Sequence, residues 1–368
     1  MPETHARRRA ALRSRLRERD LDALLVVDLR NVRYLTGFTG SNAALLVRAD
    51  GDADEAGTVL CTDGRYLTQS GQQVPDLERL IDRPCPPALL AGARAGAPPR
   101  RTGFESHRVT VDELDTLADV AGGGTELVRA AGLVEQLRMV KDDTEIEALR
   151  MACAAADRAL ADLIEHGGLS AGRTEREVAR DLESRMLDHG ADGPSFESIV
   201  ATGTHSAVPH HRPTDAVLHA GDLVKLDFGA LVDGYHSDMT RTFVLGNPAD
   251  WQQELYELVA AAQAAGRAAL RVDADVSDVD AAARDVVERA GRGEEFLHGL
   301  GHGVGLEIHE APALAKTGEG RLSAGMAVTV EPGVYLSGRG GVRIEDTLVV
   351  RDGDPELLTL TTKQLVVV

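Results

Sequence analysis

Two carboxylates lie where carboxylates are costly. Leu223-Val224-Lys225-Leu226-Asp227-Phe228-Gly229-Ala230-Leu231 reads as an apolar strand with an acid in its middle, and Tyr235-His236-Ser237-Asp238-Met239-Thr240-Arg241-Thr242-Phe243 reads as its return. Asp233-Gly234 between them is a two-residue hairpin signal. Pairing Val232 with Tyr235 sets Gly229 opposite Asp238 and Asp227 opposite Thr240. Asp227 and Asp238 are then diagonal neighbours on one face, about 7–8 Å apart or less. Such a pair repels unless protonated or neutralised by a cation, and a metal is the economical reading.

Val328-Thr329-Val330-Glu331-Pro332-Gly333-Val334-Tyr335 and Val342-Arg343-Ile344-Glu345-Asp346 flank a Gly-rich turn and read as a second hairpin. A turn centred on position 338 places Glu331 opposite Glu345 on one face. Pro332 removes a ladder donor, so the strand bends or meets an edge there. Upstream lies His298-Gly-Leu-Gly-His302-Gly-Val-Gly-Leu-Glu-Ile-His309-Glu310. Its four glycines make a helix improbable, so His298 and His302 are not a helical metal pair. The dinucleotide fingerprint fails at Val304, and HExxH fails because Ala-Pro-Ala follows His309-Glu310. What remains is a glycine-permitted backbone presenting imidazoles, with the choice among them open.

Four carboxylates and an imidazole suit a pair of hard or borderline ions such as Mn(II), Co(II) or Fe(II). Paired ions about 3.5–4 Å apart supply a nucleophile and a carbonyl electrophile at neutral pH. The reaction class is hydrolysis of an amide-like bond. No phosphate loop and no GxSxG competes with it. The bland alternative is a solvated sheet face for each acid pair, and ordinary core or surface histidines for the imidazole cluster.

The positioning elements follow. Leu21–Val27, Ala43–Val47 and Thr58–Cys61 are apolar strand candidates in an α/β region that ends near residue 130. Residues 88–102 read as a surface connection and Gly122–Gly124 as a break. Thr144 and Glu147 have capping-box spacing, and Ile146, Leu149, Cys153, Ala156, Leu160 and Leu163 form one helical face behind them. That face makes Cys153 a core residue. From about 195 the pattern turns to strands and Gly-rich turns, with helices near 250–267 and 276–291.

The 368 residues include 40 Lys+Arg and 59 Asp+Glu, a formal charge of −19, which argues against a nucleic-acid surface or an anionic membrane as partner. Three cysteines without a CxxC make no disulfide framework and fit a cytoplasmic compartment. No apolar run is long enough to span a membrane. The arginine-rich start has no apolar h-region and reads as a solvated first helix.

LDFGALVDGYHSDMTRTF, HGLGHGVGLEIHE, TVEPGVY and GVRIED, with AVPHH upstream, resemble the "pita-bread" metallopeptidases, a family that includes methionine aminopeptidase, aminopeptidase P, prolidase and creatinase. RNVRYLTGFTGSNAALLV and CTDGRYLTQ resemble the N-terminal half of the creatinase and aminopeptidase P kind, so the likeness spans nearly the whole chain. It implies a creatinase-like α/β domain over 1–132 and a pita-bread catalytic domain, α+β, over 133–368.

By that resemblance the metal ligands would be Asp227, Asp238, His302, Glu331 and Glu345, with Asp238 and Glu345 shared between two divalent ions per chain. Mn(II) is the expected metal, with Co(II), Fe(II) or Zn(II) as alternatives. Glu331 would also carry a proton. His309 would stabilise the tetrahedral intermediate and His210 would contact the substrate carbonyl. His298 would line the substrate pocket, with Arg343 ordering it from behind the ligands. Substrates would be proline-containing peptides or dipeptides, and the assembly a homodimer or higher homo-oligomer. Creatinases lack these ligands, which leaves Xaa-Pro exopeptidases ahead of a creatinase-like C–N hydrolase or a non-catalytic relative. Prolidases have HEAPR where this chain has His309-Glu310-Ala311-Pro312-Ala313. The missing arginine and the GFTGS and DGRY stretches favour Xaa-Pro aminopeptidase, with Xaa-Pro dipeptidase as the alternative.

Overall fold

The apolar runs of the first third become the inside of a sheet. In this computed structural model, which describes residues 2–51, 55–92 and 99–368, the chain divides into two compact units, Met1–Arg138 and Met139–Val368. In the first, β1 (Ala23–Val26), β2 (Ala43–Arg48), β3 (Val59–Thr62), β4 (Glu78–Ile81), β5 (Arg101–Phe104) and β6 (Glu126–Arg129) lie in the order β4-β3-β2-β1-β5-β6. Only β2 runs against its neighbours; the other pairings are parallel. The buried strands β1 and β2 are the apolar runs, as a two-faced α/β sheet requires. Of the expected surface connection at 88–102, residues 85–92 form a helix, 101–102 begin β5, and 93–98 lie outside the described residues.

The first helix, Pro2–Glu18, is not simply solvated. Arg8, Arg9 and Arg13 are buried. Arg9 donates to the Leu35 carbonyl at 2.7 Å and to Asp76 at 2.6 Å. A charge run in sequence carries no sign of such partners, and arginine stems pack well against apolar surface.

The second unit is two helix pairs, each backing one hairpin. Helices Asp143–Glu165 and Glu175–Asp188 share a core with one face of the first hairpin, including Leu160, Leu182, Leu226, Phe228 and Phe243. Helices Asp250–Ala269 and Val276–Arg289 share another with the second, including Val259, Val279, Val328, Val330 and Leu348. The expected face of the Asp143–Glu165 helix is buried, but its cap lies elsewhere. The Asp142 carboxylate accepts the N–H groups of Thr144 and Glu145, and Glu145 completes the box. Asp142 and Glu145 have the same spacing as Thr144 and Glu147, and the carboxylate captures two orphan amides at once.

The remaining strands are β7 (Gly193–Pro194), β8 (Ile199–Thr202), β9 (Leu223–Phe228), β10 (Ala230–Val232), β11 (Tyr235–His236), β12 (Met239–Val244), β13 (Gly301–Gly303), β14 (Glu310–Leu314), β15 (Ala327–Val330), β16 (Gly333–Leu336), β17 (Gly340–Arg343), β18 (Asp346–Val349) and β19 (Glu356–Leu357). In the first hairpin Val232 pairs with Tyr235 and Asp227 with Thr240, as expected. The ladder opens between, at Gly229 and at Ser237–Asp238, where β9–β12 and β10–β11 part into separate sheets. The second hairpin repeats the device. Gly333 pairs with Arg343 and Val330 with Asp346, one register on both sides of an opening that holds Glu331 and Glu345. Period-2 alternation then sorts the faces. Val224, Leu226 and Phe228 face the first helix pair, so Lys225 and Asp227 point the other way.

Candidate functional site

Asp227, Asp238, His302, Glu331 and Glu345 line one cavity of about 410 Å³, together with His210, His298, His309 and Arg343. All nine site residues named from the sequence therefore meet. Three of the acids sit at the ladder openings, which turn side chains inward without neighbours in register. Gly229 allows one opening, because a Cβ there would lie 1.8 Å from the Ser237 carbonyl oxygen. Gly301 serves the histidine run in the same way: a Cβ would lie 2.1 Å from the Thr329 carbonyl oxygen. Within the run, from His298 to His309, only Gly301–Gly303 form a strand, and none of it is helical.

Each acid has a distinct environment. Asp227 takes an ion pair from Arg343 on Oδ2. Glu345 accepts the Thr240 hydroxyl on Oε2 at 2.6 Å. The second oxygens, Asp227 Oδ1 and Glu345 Oε1, are buried with no hydrogen-bond partner among the described residues. Glu331 accepts the Thr329 hydroxyl at 3.1 Å and faces His302 Nε2 at 3.3 Å. Asp238 Oδ2 is 3.6 Å from the same nitrogen. Burial, and then the Asp227 charge, pushes the Asp238 carboxyl well above the usual range. Burial and the charges of Asp238, Glu331 and Asp227 do the same to Glu345. Burial would also raise Glu331, but His302 outweighs it and draws it down to about 2. Burial opposes charge on His302, yet Glu331 and Asp238 lift it to about 9.

The imidazoles are oriented by their other nitrogens. His302 Nδ1 lies 3.0 Å from the Gly303 carbonyl. That contact puts a proton on Nδ1 and leaves Nε2 facing the acids, the nitrogen that a metal would take in place of its proton. His298 spans the Gly299 carbonyl and the Tyr335 hydroxyl, each at 2.8 Å. Burial lowers its pKa. His309 packs edge-on to His302 with ring centroids 4.4 Å apart, and burial and then His302 lower its pKa. His210 is exposed on the turn after Pro209. Arg343 is buried and donates to Tyr335 at 2.7 Å, Thr240 at 3.0 Å and the Pro209 carbonyl at 3.2 Å, besides Asp227.

The residues fit divalent cations. Asp238, His302 and Glu345 offer ligand atoms all within 4.8 Å of one another. The two orphan oxygens add acceptors that the protein itself does not satisfy, and a buried acceptor without a partner is costly. Four carboxylates against one arginine and one histidine leave a charge deficit that divalent ions would meet.

Sequence reasoning passed over Lys225, Thr240 and Tyr335. Lys225 carried the same signal as Asp227, a charge inside an apolar strand. Thr240 and Tyr335 carried none, because a hydroxyl in a strand is ordinary. Ala313, at the position of the prolidase arginine, is the cross-strand partner of His302.

Two family models match the chain. One described as metallopeptidase family M24 matches residues 147–352, and one described as the creatinase/prolidase N-terminal domain matches residues 8–140. A Pyrococcus furiosus Xaa-Pro dipeptidase is 41% identical over 65% of this chain and 68% of its own length. The structure of a Bacillus anthracis Xaa-Pro dipeptidase superposes with a TM-score of 0.93 at 36% identity, covering 99% of this chain and 100% of that one. A Thermotoga maritima X-Pro aminopeptidase superposes with a TM-score of 0.86 at 32% identity, covering 96% and 98%.

Proposed function

The chain belongs to metallopeptidase family M24, and from that premise we propose that it is an exopeptidase for Xaa-Pro bonds, acting foremost on Xaa-Pro dipeptides. Its second unit carries the family's pita-bread fold and its first the creatinase-like α/β domain. Membership implies divalent metal ions. The observation that carries the reading is the pair of orphan oxygens, Asp227 Oδ1 and Glu345 Oε1, on residues lining the cavity that also holds His302. We assign the five ligands to Asp227, Asp238, His302, Glu331 and Glu345, which would together hold two divalent ions, with Mn(II) as the working metal. When bound, the ions supply Lewis acidity toward the scissile carbonyl and a nucleophile from water at neutral pH.

The chain's own groups do the rest. Glu331, held by Thr329, takes up and returns a proton. His309 donates to the oxygen of the tetrahedral intermediate, and its lowered pKa keeps it a neutral donor. His210 contacts the substrate carbonyl. His298, fixed between Gly299 and Tyr335, lines the pocket, and Arg343 holds Asp227 in place. An Xaa-Pro amide has no N–H and a fixed φ, so enzymes that grip an extended backbone handle it poorly. A reducing cytoplasm suits the three buried, unpaired cysteines, and we expect a homodimer or higher homo-oligomer.

The sequence reading placed aminopeptidase P first. The Xaa-Pro dipeptidases among the relatives favour the alternative. The aminopeptidase reading keeps the absence of a cation at Ala313, the GFTGS and DGRY stretches, and the Thermotoga maritima X-Pro aminopeptidase among the similar structures. The deciding experiment strips the enzyme, restores Mn(II) and compares Gly-Pro with Arg-Pro-Pro. Preference for Gly-Pro is the expected result; preference for the tripeptide would make the enzyme an aminopeptidase P, and cleavage of neither would refute the Xaa-Pro reading. Asp238→Ala should abolish Mn(II) binding and turnover, and full retained activity would refute the site.

A further inference from the structure

The His210 ring has no hydrogen-bond partner among the described residues, and it sits on an exposed turn. Its aim therefore depends on its backbone. That backbone is held from two sides by buried ionisable side chains. On one side Lys225 Nζ, fully buried, lies in hydrogen-bond contact with the carbonyls of Val208 at 2.7 Å, Pro209 at 3.1 Å and Ser206 at 3.3 Å. On the other side the Glu175 carboxylate, also fully buried, gathers the segment before and after the turn. Its Oε1 accepts the Thr202 N–H at 3.0 Å and faces His205 Nδ1 at 2.9 Å. Its Oε2 accepts the Thr214 N–H at 2.9 Å and hydroxyl at 2.7 Å, and faces His211 Nε2 at 2.8 Å.

Glu175, His205 and His211 have metal-ligating types and spacing, but the carboxylate has no capacity left. Two oxygens offer about four lone-pair sites, and five donors already address them. The same bonds, from His211, Thr202, Thr214 and His205, outweigh burial and bring the carboxyl down to about 2. The cluster is a clamp.

We propose that Glu175 is a positioning residue for the peptidase reaction, holding both flanks of the His210 turn so that an imidazole with no bond of its own meets the substrate carbonyl. The proposal rests on the role given to His210 above. Glu175 itself does not line the cavity; His211, which it anchors, does.

A double-mutant cycle on the Mn(II)-loaded full chain tests this, with Gly-Pro and Arg-Pro-Pro as substrates. Glu175→Gln keeps the shape but turns a donor toward the amides and imidazoles that now donate. It should lower kcat about tenfold to a hundredfold, as small misplacements of catalytic groups do, with Mn(II) content unchanged. His210→Ala combined with Glu175→Gln should be no slower than His210→Ala alone, because the clamp acts through His210. Wild-type kcat in Glu175→Gln, or full additivity in the double variant, would overturn the proposal. If Glu175→Gln does not fold, His211→Asn, which removes one arm of the clamp, takes its place in the same cycle and is read the same way. A wild-type enzyme inactive on both peptides would overturn the functional reading and the proposal together. Activity lost only in the variants cannot be confused with that outcome.

Discussion

Glu345 is the acid whose removal should strengthen the metal-free protein. Its side chain is buried, Oε2 is satisfied by Thr240, and Oε1 has no partner among the described residues. Asp238, Glu331 and Asp227 all press on its charge. An unpaired buried acceptor costs about 1–3 kcal/mol, and more when charged. Glu345→Gln keeps the shape, cannot ionise and offers an N–H₂ to the neighbouring carboxylates. The metal-free variant should gain about 2 kcal/mol. At about 2–4 °C per kcal/mol for a unit of this size, its Tm should rise by about 4–8 °C. Mn(II) reverses the order. Ions at about a hundred times Kd would stabilise the wild type by about 2.7 kcal/mol, whereas the variant, short of a shared ligand, should hardly respond.

Scanning calorimetry of EDTA-stripped protein, with and without added Mn(II), reads both effects. The pH dependence has a definite sign. Burial and neighbouring acids raise Glu345 and Asp238, so the folded state holds protons that the unfolded chain has released. Metal-free stability therefore falls as pH rises from the ordinary carboxylate range through the raised values. His302, lifted to about 9, acts in the same direction: its contribution is present below its ordinary pKa and lost as pH rises through 9. Going from about pH 7 to about pH 5.5 should thus raise the metal-free Tm of the wild type, and raise it less in Glu345→Gln. A metal-free Glu345→Gln that melts at or below the wild type would refute the picture of a site strained by its own acids.

Three further outcomes follow from the geometry. His309→Ala should lower kcat by about 10²–10³-fold while Mn(II) stoichiometry holds, as loss of an oxyanion donor does; an unchanged kcat would remove His309 from the reaction. Ala313→Arg places a guanidinium across the ladder from His302 and should lower KM for Gly-Pro about tenfold. Gly-Pro-amide should be unaffected, and equal effects on both would show that no carboxylate is being read. Gly229→Ala forces a Cβ to within 1.8 Å of the Ser237 carbonyl oxygen, and urea unfolding should show a loss of about 3 kcal/mol. A loss under about 1 kcal/mol would contradict the close backbone approach.

Both hairpin registers were legible because two local signals agreed. Asp233-Gly234 and the glycines after Leu336 fix the turns, and alternation fixes the faces. Asp227 with Thr240, and the common register of Glu331 and Glu345, followed from counting. Which histidine stands nearest the acids did not, since His302 is selected by Thr329, which bonds its N–H at 3.0 Å. The helix cap was misplaced because two overlapping boxes satisfy the same spacing. Lys225 and Glu175 escaped notice for a related reason. Their partners are loop carbonyls and amides far along the chain, and such groups have no side-chain signature. The choice between dipeptide and longer peptide was equally opaque, because an absent arginine at position 313 says only where a carboxylate is not held.

The openings at Gly229 and at Glu331–Pro332 have a consequence for biosynthesis. Each ladder resumes beyond its gap in one frame. A slip of a single residue in either hairpin would invert its faces and carry its acids out of the site. On the proposed ligand set, which runs from Asp227 to Glu345, a divalent ion finds its full cage only when both hairpins have closed in frame. Metal uptake would then favour the correctly zipped chain: an ion bound only by that register would stabilise it over a misaligned one.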